Sequence, residues 1–174
     1  MAESRYAASY CRRWNFRRHK PIDPLTPQEA VRRDADREVY SVILHDPSGG
    51  PVPEAVIEID WANDFAGVWF FDAFGRQSLN YAFRRTGDRL FLFNMMEYSY
   101  PDDEPRTLSG SNHTEEFTFQ ENGIARLVVI DDDAHEKTTE DRSGVDVATH
   151  YEPVPRFGDW DSLARWNREV DEDD

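Results

Sequence analysis

From Val39 onward the sequence alternates with a period of two, and in its central segments both halves of the alternation are apolar. In residues 67–74, Val68, Phe70 and Phe74 share one side while Trp69, Phe71 and Ala73 share the other. Residues 89–98 repeat the pattern, with Leu90, Leu92 and Met96 opposed to Phe91, Phe93 and Met95. An antiparallel strand with one face in water alternates apolar with polar, so these strands are predicted to be covered on both faces. A sheet with one wet side is thereby excluded.

Eight strands are expected, over residues 38–45, 55–61, 67–74, 78–84, 89–98, 115–120, 125–130 and 145–152. Turn chemistry separates them: Phe74-Gly75-Arg76, Thr86-Gly87-Asp88 and Asn122-Gly123 each supply the glycine that a tight reversal needs. Short turns between successive strands predict an antiparallel meander. The expected fold class is α+β, mainly β: a single meander of about eight strands, strongly curved or closed into a small barrel. N-terminal and C-terminal helices are expected to pack outside it, and a curved sheet wrapped round a helix would leave the same trace.

The helices are read from caps and spacing. Tyr6, Tyr10 and Trp14 repeat every four residues and predict a short amphipathic helix in the arm RYAASYCRRWNFRRHK. Thr26-Pro27-Gln28-Glu29 is a capping box with proline in the first turn, which starts a helix over 27–37. Asp159 or Asp161 is expected to cap a last helix reaching Val170, with Trp160, Leu163 and Val170 along one face. The chain reads as a single domain over 1–174: a basic aromatic arm with a Pro-rich connection at 1–25, the body at 26–170, and an acidic tail at 171–174.

Charge narrows the partners. The net charge is -15, but residues 1–20 carry +5 while 21–130 and 131–174 carry -10 each. So acidic a body repels nucleic acid and anionic membranes, leaving only the arm to hold nucleic acid. The arm is expected instead to fold back onto the chain's own acidic surface. One cysteine, Cys11, precludes an internal disulfide and predicts a soluble protein of a reducing, cytoplasmic setting. No apolar run is long enough for a membrane helix.

Motif chemistry is sparse. No glycine-rich phosphate loop, dinucleotide fingerprint or nucleophile elbow occurs, so no cofactor is expected. The five histidines are scattered and Asp131-Asp132-Asp133 lacks the spacing of a calcium loop, so no metal is expected. The informative residues are polar groups interrupting apolar strands. Glu58, Asp60, Asp72, Glu97 and His150 are the candidate acid-base groups, since desolvation of a carboxylate in an aromatic pocket raises its pKa. Trp69, Phe71, Asn80, Phe91, Phe93 and Tyr98 are the candidate ligand contacts.

Two functions follow as expectations. One is a barrel-like protein binding an apolar or aromatic small molecule, with scope for a cofactor-independent cyclase, isomerase or dehydratase. The other is an acidic interaction module, such as an inhibitor or immunity protein that masks a basic partner.

Overall fold

The computed structural model describes residues 5–104 and 110–168. The strands are β1 (Ala7–Asn15), β2 (Lys20–Leu25), β3 (Tyr40–His45), β4 (Ala55–Asp60), β5 (Phe65–Phe71), β6 (Gln77–Thr86), β7 (Arg89–Ser99), β8 (His113–Phe119), β9 (Ala125–Asp131), β10 (Glu136–Arg142) and β11 (Tyr151–Pro153). One α-helix, α1 (Pro27–Ala35), lies between β2 and β3, and single 3-10 turns stand at Trp61–Asn63 and Ala148–His150.

All strands belong to one antiparallel sheet in the order β10-β9-β8-β7-β6-β5-β4-β3-β1-β2, with β11 attached to β7. The expected meander is present, but it is not closed into a barrel: β2 and β10 are the two ends of the hydrogen-bonded path. Closure is replaced by a fork in β7, whose residues Arg89 to Phe91 pair with β11 while Asn94 to Ser99 pair with β8. Both edges carry deterrents to further pairing. Pro21 and Pro24 remove N–H donors from β2, and every residue of the charged β10 is exposed.

The sheet has an inner and an outer apolar layer. On the inner face Tyr40, Val42 and Leu44 of β3, Ala55, Ile57 and Ile59 of β4, Ala66, Val68 and Phe70 of β5, and Leu79, Tyr81 and Phe83 of β6 form one cluster. Two covers complete it. Ala30 anchors α1 there, and Asp34 of the helix accepts from the Tyr40 hydroxyl at 2.8 Å and the Trp61 Nε1–H at 2.7 Å. The second cover is the segment carrying Phe157, Trp160, Leu163 and Ala164.

The terminal segments depart from expectation. The arm is not a helix but the first hairpin: Tyr10 pairs with Val42 of β3 and Leu25 of β2. For Tyr6 and Tyr10, which share the inner cluster, a spacing of four satisfies a strand as well as a helix, whereas Trp14 packs in the outer one. Cys11, on the opposite pleat, is fully buried with Trp14, Ile43 and Val56. The predicted C-terminal helix is likewise reduced to one turn within the described residues, where Leu163 and Ala164 donate N–H groups to the Trp160 carbonyl at 3.1 and 3.0 Å. Val170 lies outside the described residues. Both α1 and this turn cover the inner face, so neither is the outer layer expected of a barrel. The strand expected over 145–152 shrinks to β11, while β10 was not anticipated because it contains no apolar residue.

The outer layer is supplied by the arm. Trp14 packs with Ile43 and Val56, Phe16 lies 4.9 Å from the Trp69 ring, and His19 lies 6.2 Å from Phe71, so the hairpin tip runs over β3, β4 and β5. That accounts for the double apolarity of β5. In β7 the cause is different. The register shifts opposite Ala82 and Phe83, which skips Phe93 and brings Met95 to the inner face beside Tyr81 while Met96 goes outward beside Asn80.

Gly67 makes the outer layer fit. A Cβ there would meet Trp69 ring atoms at 2.5 and 2.8 Å, so the indole lies across the space that a side chain would occupy. Gly67→Ala is expected to destabilise the fold by about 1–3 kcal/mol, because the ring is held by Phe16 and cannot swing freely. In a Trp69→Ala background the same substitution should cost less than half as much. Urea unfolding of the four-member mutant cycle measures this, and equal costs in both backgrounds would refute the contact.

Candidate functional site

Where β6, β7 and β8 pass the C-terminal segment, the inner face opens into a cleft of about 590 Å³. Its apolar walls are Leu79, Tyr81, Leu92, Met95, Phe119 and Trp166. Its polar groups are Ser78, Glu97, Tyr98, Ser99, His150, Asn167 and Arg168. Strand register explains the convergence. Tyr81 stands opposite Met95, Leu79 opposite Glu97, and Met95 opposite Phe117, so three strands present one pleat to the same space. A second cavity of about 610 Å³ lies beyond Trp166 and Asn167, which form a wall common to both.

The back of the cleft is built on a buried ion pair. Arg168 bonds to the Glu152 carboxylate, donates to the carbonyls of Ser162 at 2.8 Å and Leu163 at 3.0 Å, and lies over the rings of Tyr81 and Phe83 at 5.0 and 4.8 Å. Both side chains are nearly inaccessible, at 6% and 7% exposure. Arg165 bonds to the same Glu152 oxygen from outside. The Tyr81 hydroxyl donates to the Trp166 carbonyl at 2.5 Å, which fastens the segment to the sheet.

His150 closes the cleft at β11. Its ring stands edge-on to Phe119 at 4.3 Å and 6.1 Å from Phe91. Burial pushes the imidazole below its usual pKa, outweighing the Leu92 backbone and Asp146, which push it up. The ring is therefore neutral at pH 7. Its Nδ1 is sealed from solvent and, like Nε of Arg168, has no hydrogen-bond partner among the described residues.

The candidate acid-base residues do not all converge. Glu97 and His150 line the cleft together. Glu58 and Asp60 project from the outer pleat of β4, opposite Gly67 and Phe65. Burial raises the Glu58 pKa, while Arg13 lowers it and Asp60 raises it further. Asp60 accepts from the Asn63 amide at 2.7 Å. Asp72 organises the β5–β6 turn, accepting from the N–H groups of Phe74 and Arg76 at 2.9 and 3.0 Å and from Arg76 Nε at 2.7 Å.

The candidate ligand contacts are also divided. Tyr98 lines the cleft, and its hydroxyl pKa is raised by burial and by Glu116. Trp69 lies under Phe16, and Phe71 under His19 and in the second cavity. Asn80 is buried and donates to the Val68 carbonyl at 3.1 Å. Phe91 packs on Tyr151 at 5.0 Å, and Phe93 lies under the Arg84 guanidinium at 4.8 Å. Sequence reasoning passed over Tyr81, Met95, Phe119, Trp166 and Arg168. The parity of Leu79 and Tyr81 with Phe83 was a signal for the first, whereas Met95 was masked by the β7 register shift.

Among the described residues no cluster of His, Cys, Asp and Glu has the arrangement of a metal site. No described helix is long and apolar enough to cross a membrane. Compared with protein-family models, with curated proteins and with solved structures, the chain matches none.

Two predictions test the scaffold of the cleft. Glu152→Ala leaves Arg168 buried without its carboxylate and is expected to cost about 3–5 kcal/mol in urea unfolding. A loss below 1 kcal/mol would contradict the burial. For His150 the unfolded chain takes up a proton that the folded one resists, so stability present above about pH 6.5 is lost as the pH falls toward the lowered folded pKa. His150→Gln should flatten the dependence of stability on pH between about 6.5 and 5 relative to the parent; unchanged slopes would exclude this assignment.

Proposed function

We propose that the protein binds an apolar or aromatic small molecule in the cleft between β6, β7, β8 and the C-terminal segment, in a reducing, cytoplasmic setting. The observation that carries this reading is the cleft itself: its volume of about 590 Å³ falls within the range of small-molecule sites. Aromatic and aliphatic walls with a few polar groups are the usual composition of such a site. Curvature of the sheet toward the C-terminal segment, in place of barrel closure, gives the cleft its depth in this reading.

Binding is the core of the proposal. If turnover accompanies it, the acid-base chemistry of a cofactor-independent cyclase, isomerase or dehydratase runs through Glu97 and His150, the two candidate groups that share the cleft. A neutral imidazole is available as a base once Nδ1 is uncovered.

A second reading, an acidic interaction module masking a basic partner, is favoured by the β9–β10 hairpin, whose exposed turn carries Asp132 and Asp133 between the strand-end acids Asp131 and Glu136. It predicts that reversing Asp132 and Asp133 to lysine abolishes capture of a basic protein without affecting the cleft.

The neutral fluorophore N-phenyl-1-naphthylamine separates the two readings. It is expected to bind at one saturable site, and Ser99→Trp and Met95→Trp, which fill the cleft, should each weaken it at least tenfold while the folded far-UV spectrum persists. Absence of saturable binding, or indifference to both fillings, would overturn the small-molecule reading.

A further inference from the structure

One end of the sheet is the strand β10, which pairs with β9 from Glu136 to Arg142 with no shift of register. Its other edge therefore carries a regular, unbroken row of backbone N–H and C=O groups. Among the described residues no strand pairs with that edge, and all seven of its side chains are exposed. The remaining free edges are unfit for strand addition. β2 contains Pro21, Pro24 and a left-handed Asp23, and β11 has three residues and ends in Pro153.

Charges along an edge turn away strands whose own charges do not match. The strand that matches EKTTEDR is a second copy of itself, run antiparallel. Outward-pointing backbone groups occur at alternate residues, so two copies related by a two-fold axis pair only when residues of the same parity face each other, and the axis then passes through a residue. With the axis at Thr139, Glu136 faces Arg142 of the second copy, Lys137 faces its Asp141, Thr138 faces its Glu140, and Thr139 faces itself. No like charges meet. An axis at Thr138 sets Glu136 against Glu140, and an axis at any charged residue of the strand sets that residue against itself, which destabilises an antiparallel pair.

The flanking groups fit the same register. Asp141 accepts from Arg126 of β9 at 2.7 and 3.1 Å, and Glu140 accepts from Arg142 at 2.6 Å. All four side chains are more than half exposed, so each keeps lone pairs or N–H groups for a further partner across the axis. At the axis Thr139 stands beside Val128 of β9, which continues a row of β-branched side chains through the join.

We propose that the protein forms a two-fold dimer by antiparallel addition of β10 to the β10 of a second copy, centred on Thr139, so that two sheets become one. The inference is independent of what the cleft binds. Such a contact closes on itself and uses the one fit edge of each copy, so assembly stops at the dimer. The net charge of -15 on each chain opposes approach, but at physiological ionic strength a Debye length of about 8 Å confines that repulsion while the facing pairs meet within it.

Sedimentation velocity of the whole chain tests this at about 0.15 M salt. The parent is expected to show a monomer–dimer equilibrium with no larger species. Glu136→Arg sets an arginine against Arg142 twice in each dimer, and Arg142→Glu sets a glutamate against Glu136 twice, so each should weaken dimerisation about tenfold or more. An equimolar mixture of the two variants again places opposite charges at both positions and should form a one-to-one heterodimer at least as readily as the parent dimerises. Both residues are exposed, so the folded far-UV spectrum is expected to persist in each variant. A parent that stays monomeric up to about 1 mM, growth beyond the dimer, indifference of the dimer to either reversal, or failure of the mixed variants to associate would each overturn the proposal.

Discussion

A sheet that is apolar on both faces must find two covers, and here they come from segments that flank the meander in sequence. The inner cover is the turn around Trp160, Leu163 and Ala164 together with α1. The outer cover is the hairpin tip that places Trp14 on Ile43 and Val56 and Phe16 on Trp69. Removing either would bring a layer of large side chains into water, at about 25 cal/mol for each Å² uncovered. The arm hairpin and the segment 157–164 are thus structural layers of the molecule. The cleft lies beside the inner cover, where Trp166, Asn167 and Arg168 face β6 and β7.

Much of the sheet was legible in the sequence. Strands β3 to β9 follow from period two and from glycine-bearing turns, with ends displaced by up to three residues. What was illegible has specific causes. Tyr6 and Tyr10 fit either period, and the i+3 positions that would have separated the two, Ser9 and Arg13, are polar. The edge strand β2 contains Pro21 and Pro24, which argue against a strand except at an edge. The β10 sequence EKTTEDR has no apolar side to betray it and is held through its partner β9. In the site, a single skipped residue at Phe93 exchanged Met95 and Met96 between faces, an error that no count of apolar residues reveals. The acids Glu58 and Asp60 do share a face, but it is the outer pleat, away from the cleft.

Arginines connect the parts of an acid-rich chain. Arg76 binds Asp72 within its own turn, reaches the carbonyls of Asp102 and Glu104, and lies over Phe74 and Tyr100. Arg33 reaches the Val39 carbonyl and Glu38, and Arg37 reaches the Trp61 carbonyl and Asp64. In each case a planar guanidinium satisfies backbone carbonyls as well as a carboxylate, which an ammonium group does with less geometric precision. The arm's arginines differ. Arg12 meets Asp23 at 3.9 Å within the arm's own hairpin, with both side chains mostly in water, a setting in which an ion pair contributes little.

The fork in β7 has a consequence for how the protein comes into being. Residues 89–91 cannot complete their pairing until residues 151–153 exist, and the inner layer cannot close until Trp160, Leu163 and Ala164 have been synthesised. During translation the earlier strands can pair with one another as they leave the ribosome, yet their inner pleat stays unsheltered. Nascent chains therefore pass through a prolonged stage with a long apolar surface on display, a stage at which holding chaperones have something to grip. The segment around Trp160, Leu163 and Ala164 is the one that ends that exposure.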